Sequence, residues 1–245
     1  VRRKLKCLDL FCGAGGAAIG LLEVFDTVVG VDIEPQPRYP GEFVRMDAMT
    51  LLRNWNDIAK GRVLGHVLRD FDFIWASPPC QAFTRLKTAH NAKEHIDLLT
   101  PSRPLLKKTG KPYCIENVVG APLRDPVWLR GTMFGLGAEV DGVFFQLDRE
   151  RGFEATFPIP VPADKFTKSL PVVGIYGGHA RNRSKEWGGR GTRDFPGHSQ
   201  RDIASRALDI DGMTLLEMSQ VIPPAFSEHI ARAWLRSQGK TNAAA

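Results

Sequence analysis

Short apolar runs alternate with glycine turns and helically spaced stretches along the N-terminal half of the chain. "LKCLDL" leads into "FCGAGG", "AAIGLLEVF" follows with apolar residues at helical spacing, and "TVVGVD" is a second apolar run that closes on Asp32 and Glu34. "EFVRMDAM" is a third candidate strand ending at Asp47, "FDFIWA" a fourth leading to Cys80, and "KPYCIENV" a fifth ending at Glu116 and Asn117. Near-continuous apolar runs separated by helices predict buried parallel strands in an open α/β sheet. Asp32, Asp47, Cys80 and Glu116 then fall at or just past strand C-termini, the edge where such sheets bind ligands. Each acid alone reads equally well as a solvated loop carboxylate; their convergence argues for a site.

After "GVFFQLDRERGFEATFP" the pattern changes. Residues 155–212 are rich in Pro, Gly and charge, and carry Arg181, Arg183, Lys185, Arg190 and Arg193. Such a segment buries little apolar surface, so the expectation is a loop or small irregular appendage. Two readings stand: a flexible basic linker, or a phosphate-contacting arm with Tyr176 and Trp187 as stacking groups. "GMTLLEMSQVIPPAFSEHIARAWLRSQ" then gives two helical patterns split by a proline turn. The expected organisation is a catalytic domain over 1–154, the basic segment over 155–212, and C-terminal helices over 213–238 that pack back on the catalytic domain.

With 245 residues, 43% hydrophobic and 24% charged, the chain fits one substantial α/β domain with a small appendage. No apolar run reaches the roughly 18 to 20 residues that span a bilayer, and "VRRKLKCLDLFCG" lacks a signal-cleavage pattern, so an intracellular protein without membrane association is expected. Cys7, Cys12, Cys80 and Cys114 form no CxxC pair and have no His at zinc spacing, so they are expected to be free thiols without a metal. A net charge of +6 suits a polyanionic partner without requiring one.

Cys7, Cys12 and Cys114 lie in or beside strands and read as core; Cys80 sits after Pro78 and Pro79. Paired prolines fix two φ angles and remove two backbone donors, which makes a rigid platform beyond a strand end. The strand, glycine turn, helix and strand that close on Asp32, about 20 residues past the turn, form the arrangement that holds the adenosine half of a nucleotide-like cofactor. "GAGG" departs from the dinucleotide pattern. A stiffly held thiol, a Glu on a neighbouring strand end and such a cofactor site suggest a nucleophile, a proton handler and a bound cofactor.

"DLFCGAGG", "PPCQAFT", "IENV" and the Arg-x-Arg of "DRER", in that order, resemble the ordered motifs of the DNA cytosine-5 methyltransferases; the resemblance runs over residues 5–157, with a further match in "EMSQVIPPAFSEHI". It implies a Rossmann-like, S-adenosylmethionine-dependent fold with a mostly parallel sheet, flanking helices and a small irregular target-recognition segment. It also implies a monomer acting on double-stranded DNA in the cytoplasm of a bacterial or phage-infected cell. Cys80 is the implied nucleophile at cytosine C6, Glu116 the acid at N3, Arg149 and Arg151 the cations near O2 with Arg151 favoured, and Asn117 a brace for the cysteine loop. For the cofactor it implies Asp9, Phe11, Gly13, Gly15, Gly16, Asp32, Ile33, Asp47 and Pro79: Phe11 on the adenine, the glycines along the methionine part, Asp32 on the ribose and Asp47 on the adenine amine. Gln81, Thr84, Arg85 and Lys87 are candidate DNA contacts, joined by the basic residues of 155–212. "RLKTAHNAKEHIDLL", with Lys93, Ala89 and Ala92, reads either as a segment closing behind a flipped base or as a surface helix.

Three departures stand out. Gln146 lies one residue too far upstream of the arginine pair, with Leu147 in the expected place; Ile222-Pro223-Pro224-Ala225 replaces the usual Gly-Asn-Ser; and the target-recognition stretch is short, which implies brief or relaxed sequence specificity or folding on DNA. An RNA cytosine-5 methyltransferase, an enzyme placing a larger group on C5, and a non-catalytic cofactor-binding protein remain as alternatives. An adenine-N6 methyltransferase is disfavoured, because amino methylation wants an aromatic residue after Pro-Pro.

Overall fold

The computed structural model describes residues 3–57, 60–83, 96–183 and 194–239. The first half runs β1 (Lys6–Leu10), α1 (Gly16–Leu22), β2 (Thr27–Asp32), β3 (Glu42–Arg45), α2 (Ala48–Arg53), a small hairpin of β4 (Arg62–Val63) and β5 (His66–Val67), β6 (Phe73–Ala76), α3 (Leu99–Lys108) and β7 (Tyr113–Asn117). It continues through β8 (Val127–Arg130), β9 (Gly137–Val140), β10 (Val143–Leu147) and β11 (Glu150–Ala155). The remainder holds β12 (Val172–Tyr176), β13 (His179–Asn182), α4 (Gln200–Leu208), α5 (Leu215–Gln220) and α6 (Pro224–Ser237).

Seven strands form the main sheet in the order β3-β2-β1-β6-β7-β11-β8. The first five are parallel, and β11 and β8 add antiparallel at one side. The period-two alternation of a strand sorts the core into two layers. Cys7, Phe73, Trp75, Cys114 and Phe153 face α1 and α6, while Leu8, Leu10, Ile74, Ala76 and Ile115 face α2 and α3. Helices thus cover both faces, as parallel sheets require. None of the described helices is long and apolar enough to cross a membrane.

The segment 155–212 departs from the expected irregular appendage. It contributes β12, β13 and α4, and its strands join a second sheet in the order β13-β12-β10-β9. Val173, Ile175, Ala180, Ile203, Ala204 and Leu208 share a core with Ala138, Val140, Phe145 and Leu147. The short runs in this segment cannot bury themselves, and the β9–β10 hairpin, from before residue 155, supplies the other half of their core. Gln146 has a structural task here: its amide donates to Thr167 O at 2.7 Å and Leu170 O at 3.0 Å and accepts from Thr167 N at 3.1 Å.

Helix α6 returns to the main sheet against α1. Gly16 faces Val221 and the Ile222 carbonyl, Gly20 faces the Pro224 carbonyl and Ser227, and Ser227 Oγ donates to Ala17 O at 2.8 Å. A Cβ on Gly20 would run into the Pro224 carbonyl. Two effects therefore oppose each other at Gly20: alanine gains about 1 kcal/mol in helix propensity, whereas overpacking costs about 1–3 kcal/mol. Packing against a backbone carbonyl should win. Gly20→Ala is expected to lower the urea midpoint at an unchanged m-value, and an increased midpoint would refute the close approach.

Candidate active site

Parallel pairing brings the strand ends into line. Leu10 lies opposite Val31 and Ala76, and Ala76 opposite Ile115, so Phe11, Asp32, Ser77 and Glu116 follow side by side at one edge. Asp47 follows β3 on the same side, where Asp32 is paired with Arg45.

The glycine turn begins with strain. Phe11 has φ of 58°, a left-handed conformation unfavourable for a bulky residue, and such outliers cluster where function over-determines the backbone. Gly13 N donates to Asp32 Oδ2 at 2.9 Å, and Glu34 N donates to Asp32 Oδ1 at 2.9 Å. These bonds fix the carboxylate against the turn, and each oxygen has a second lone pair for a ligand hydroxyl. Ile33 beside it is 62% exposed. A Cβ on Gly13 would meet nothing within 4 Å, so the turn is open there. The other two glycines differ from the expectation: Gly15 faces Tyr39 and Pro40, and Gly16 faces Val221 and Ile222, so their missing side chains make room for the protein's own packing.

Asp47 caps α2, accepting from Met49 N at 3.0 Å and Thr50 Oγ1 at 2.6 Å. Partial burial raises its pKa, but the hydrogen bonds from Thr50 and Met49 outweigh it and hold the carboxyl below its ordinary value. Pro79 is exposed beyond the buried Pro78.

Asp9 is not the ligand-facing group expected from the sequence. It is fully buried, its Oδ2 accepts from Tyr39 Oη at 2.9 Å, and its Oδ1 has no hydrogen-bond partner among the described residues. Burial raises its pKa to about 8, against the opposing hydrogen bond from Tyr39 and with a further push from Asp32. Tyr39, absent from the sequence reading, lays its ring over Gly15 and Gly30. Its only local signal was an aromatic residue in a proline-rich turn.

Cys80 lies half-buried on the loop after β6, while Cys7, Cys12 and Cys114 are buried. Asn117, wholly buried, donates from Nδ2 to Pro78 O at 2.9 Å and accepts at Oδ1 from Val118 N at 3.0 Å, which ties the loop to the end of β7. Phe83 N donates to Cys80 O at 2.9 Å and closes the turn. Burial raises the thiol pKa, as does the charge of Glu116, against the opposing pull of Arg151 and Arg149. Glu116 is buried, and burial raises its pKa against Arg151, Arg149 and a hydrogen bond from Ser77. Arg151 Nε lies 3.1 Å from Glu116 Oε1, with Nη1 donating to Glu150 O at 2.9 Å.

Arg149 is placed differently from the expectation. It is buried, and its guanidinium donates to Met218 O at 3.1 Å and Ser219 O at 2.6 Å, near the C-terminal end of α5. A cation there satisfies carbonyls that the helix leaves open. Arg151 alone of the two pairs with Glu116.

Gln81 is exposed beside Cys80. Thr84, Arg85, Lys87, Ala89, Ala92, Lys93, Lys185, Trp187, Arg190 and Arg193 lie outside the described residues. Arg181 Nε is 3.3 Å from Asp194 Oδ1, and the Arg183 guanidinium sits 5.2 Å from the Tyr176 ring centroid, so both have partners within the chain. Among the described residues no group of three His, Cys, Asp or Glu could hold a metal ion.

The family described as C-5 cytosine-specific DNA methylase matches residues 5–121, which include Cys80 and Glu116. Among solved structures, the chain is similar to the candidate DNA modification methyltransferase encoded within an E. coli prophage, with a TM-score of 0.56, 14% identity, and coverage of 96% of this chain and 100% of that one. It is similar also to the Entamoeba histolytica methyltransferase EhMeth, with a TM-score of 0.53, 10% identity, and coverage of 97% and 99%. At these identities the likeness concerns the fold. A search of the curated proteins finds no match.

The buried Asp9 has a measurable consequence. Its pKa rises from 3.8 unfolded to about 8 folded, so between those values the folded protein holds a proton that the unfolded chain has lost. Stability from this group is complete below about pH 4 and declines as pH rises through about 8. Asp9→Asn removes the titration, so its stability relative to the parent should grow from pH 4 to pH 8 and then level off in chemical denaturation. A constant difference across that range would show that Asp9 is ionised in the folded protein.

Proposed function

We propose that this chain acts as a cytosine-5 DNA methyltransferase, transferring a methyl group from S-adenosylmethionine to C5 of a cytosine flipped out of double-stranded DNA. The observation that carries the reading is the 3.1 Å contact of Arg151 with Glu116 beside the braced Cys80 loop. Cytosine N3 and O2 are adjacent acceptors on one ring edge. A proton donor for N3 and a cation for O2 must therefore be neighbours, with the nucleophile nearby to meet C6.

The turn suits the donor. Gly13 leaves open space, Asp32 offers acceptors for a ribose diol, and exposed Ile33 with strained Phe11 offers apolar surface for an adenine. When bound, S-adenosylmethionine supplies an electrophilic methyl group. Asp47 lies past β3 for the adenine amine, although its oxygens already cap α2.

Cys80, as thiolate, adds to C6 and forms an S–C bond; the electron pair displaced from the C5–C6 bond makes C5 nucleophilic, with charge spread to N3 and O2. Glu116 gives N3 a proton and Arg151 stabilises O2, the electrostatic assistance that such sites supply to developing charge. After C5 is methylated, solvent as base takes the C5 proton, the C5–C6 double bond re-forms as the S–C6 bond breaks and Cys80 leaves as thiolate, and N3 returns its proton to Glu116. Asn117 holds the loop at a fixed distance through Pro78. A stacked base exposes neither face to a thiol, so the target must leave the duplex. Arg181 and Arg183, on or beside the β13 edge of the second sheet, are the described basic residues of this segment proposed for the flanking DNA.

Expression in a host lacking C5 methylation, followed by base-resolution reading of its genome, should reveal modified cytosines in a short sequence context. Cys80→Ser should abolish them while leaving the melting temperature nearly unchanged, because the hydroxyl is far less acidic than the thiol. Glu116→Gln should slow single-turnover methylation by about 10²–10⁴-fold. An unmodified genome despite folded, cofactor-binding protein would overturn the reading.

A further inference from the structure

Trp75, Ser77 and Glu116 lie together on one face of the main sheet. The register pairs Trp75 with Cys114 and Ala76 with Ile115, so Ser77 comes beside Glu116. Trp75 Nε1 donates to Ser77 Oγ at 2.8 Å. Trp75 is completely buried and packs on Phe153 with ring centroids 5.9 Å apart, which fixes the direction of that donor. An indole N–H can only donate. The Ser77 oxygen must therefore accept from Trp75, which leaves the hydroxyl proton for another acceptor, and the register sets the Glu116 carboxyl beside it on the neighbouring strand.

We propose that Ser77 is a positioning residue for methyl transfer: oriented by Trp75, its hydroxyl donates to the Glu116 carboxylate, holds it toward Arg151, and sets the pH range in which Glu116 carries a proton. The inference rests on the reading of Glu116 as the acid at N3. It assigns a purpose to the serine before Pro-Pro-Cys that the nucleophile itself does not require.

The groups acting on Glu116 are Arg151 on β11, Arg149 before it, Cys80 on the loop, Cys114 on its own strand and Ser77 just past β6. Burial favours the neutral acid; Arg151, Arg149 and the Ser77 hydrogen bond favour the anion. Removing the hydroxyl therefore raises the pKa. A reaction that needs protonated Glu116 loses rate as pH rises through that pKa, so the alkaline limb should move to higher pH without Ser77.

The test is a carbon-13 NMR titration of the Glu116 carboxyl, assigned by its loss in Glu116→Gln, in the parent, Ser77→Ala and Ser77→Thr proteins, alongside single-turnover methylation against pH. Ser77→Ala should raise the titration midpoint by about one pH unit, the scale of one hydrogen bond to a charged group, and shift the alkaline limb equally. Ser77→Thr, which keeps the hydroxyl, should restore both. If Ser77→Ala does not fold, Ser77→Cys, a weaker donor of similar shape, should move the midpoint in the same direction. An unmoved midpoint in the folded variant would overturn the inference. The titration needs no turnover, so a moved midpoint in a protein that fails to methylate DNA would count against the enzymatic reading alone.

Discussion

The parallel pairing of β6 with β7 is the constraint on which the site depends. It places the segment leading to Cys80 beside the strand carrying Glu116, and in-register pairing makes Ser77 the neighbour of Glu116. A slip of β6 by one residue against β7 would turn Trp75 and Ser77 to the face opposite Glu116, because side chains alternate strictly between faces. The register is protected by burial: Phe73, Trp75 and Cys114 fill one layer, Ile74, Ala76 and Ile115 the other. Asn117 extends the constraint past the strand end through the Pro78 carbonyl. The prolines then carry it to the thiol with little torsional freedom.

The electrostatics of that edge couple Cys80 to Glu116. Each anion raises the cost of forming the other in a partly dry site, so both charged at once is the least favoured state. A thiolate beside a neutral carboxylic acid avoids the repulsion, and it is also the protonation state that the proposed addition to C6 requires. Burial of Glu116 works in the same direction, since desolvation favours the acid. Arg151 tempers both groups. Its contact with Glu116 keeps a buried carboxylate from standing unpaired, and breaking such a pair is more costly than never forming it.

The alternating apolar runs made β1, β2, β3, β6 and β7 legible, because a buried parallel strand needs little besides its own sequence to be recognised. Cys80, Glu116 and Arg151 were picked out by residue type and place, and the structure brings Glu116 and Arg151 into contact. Arg149 stood beside the favoured Arg151 as a second candidate cation in "DRER", yet its direction was decided by two α5 carbonyls far away in sequence. The polarity of 155–212 concealed β12 and β13, whose apolar partners lie before residue 155. Asp9 was a cofactor ligand only by resemblance; its burial under Tyr39 is a tertiary outcome. Ser77 has no distinctive spacing of its own, and its significance comes from the strand next to it.

Arg149 links parts of the molecule that the sequence keeps apart. It lies between β10, in the second sheet, and β11, in the main sheet, and it holds the last turn of α5. That turn leads to Val221 and Ile222, which press against Gly16 at the start of α1, while Met218 and Val221 belong to the core of the second sheet. A displacement of the second sheet would therefore reach the glycine turn through the α5–α6 corner and Glu116 through β11. One buried guanidinium and one glycine in close approach thus join the second sheet, Glu116 and the glycine turn.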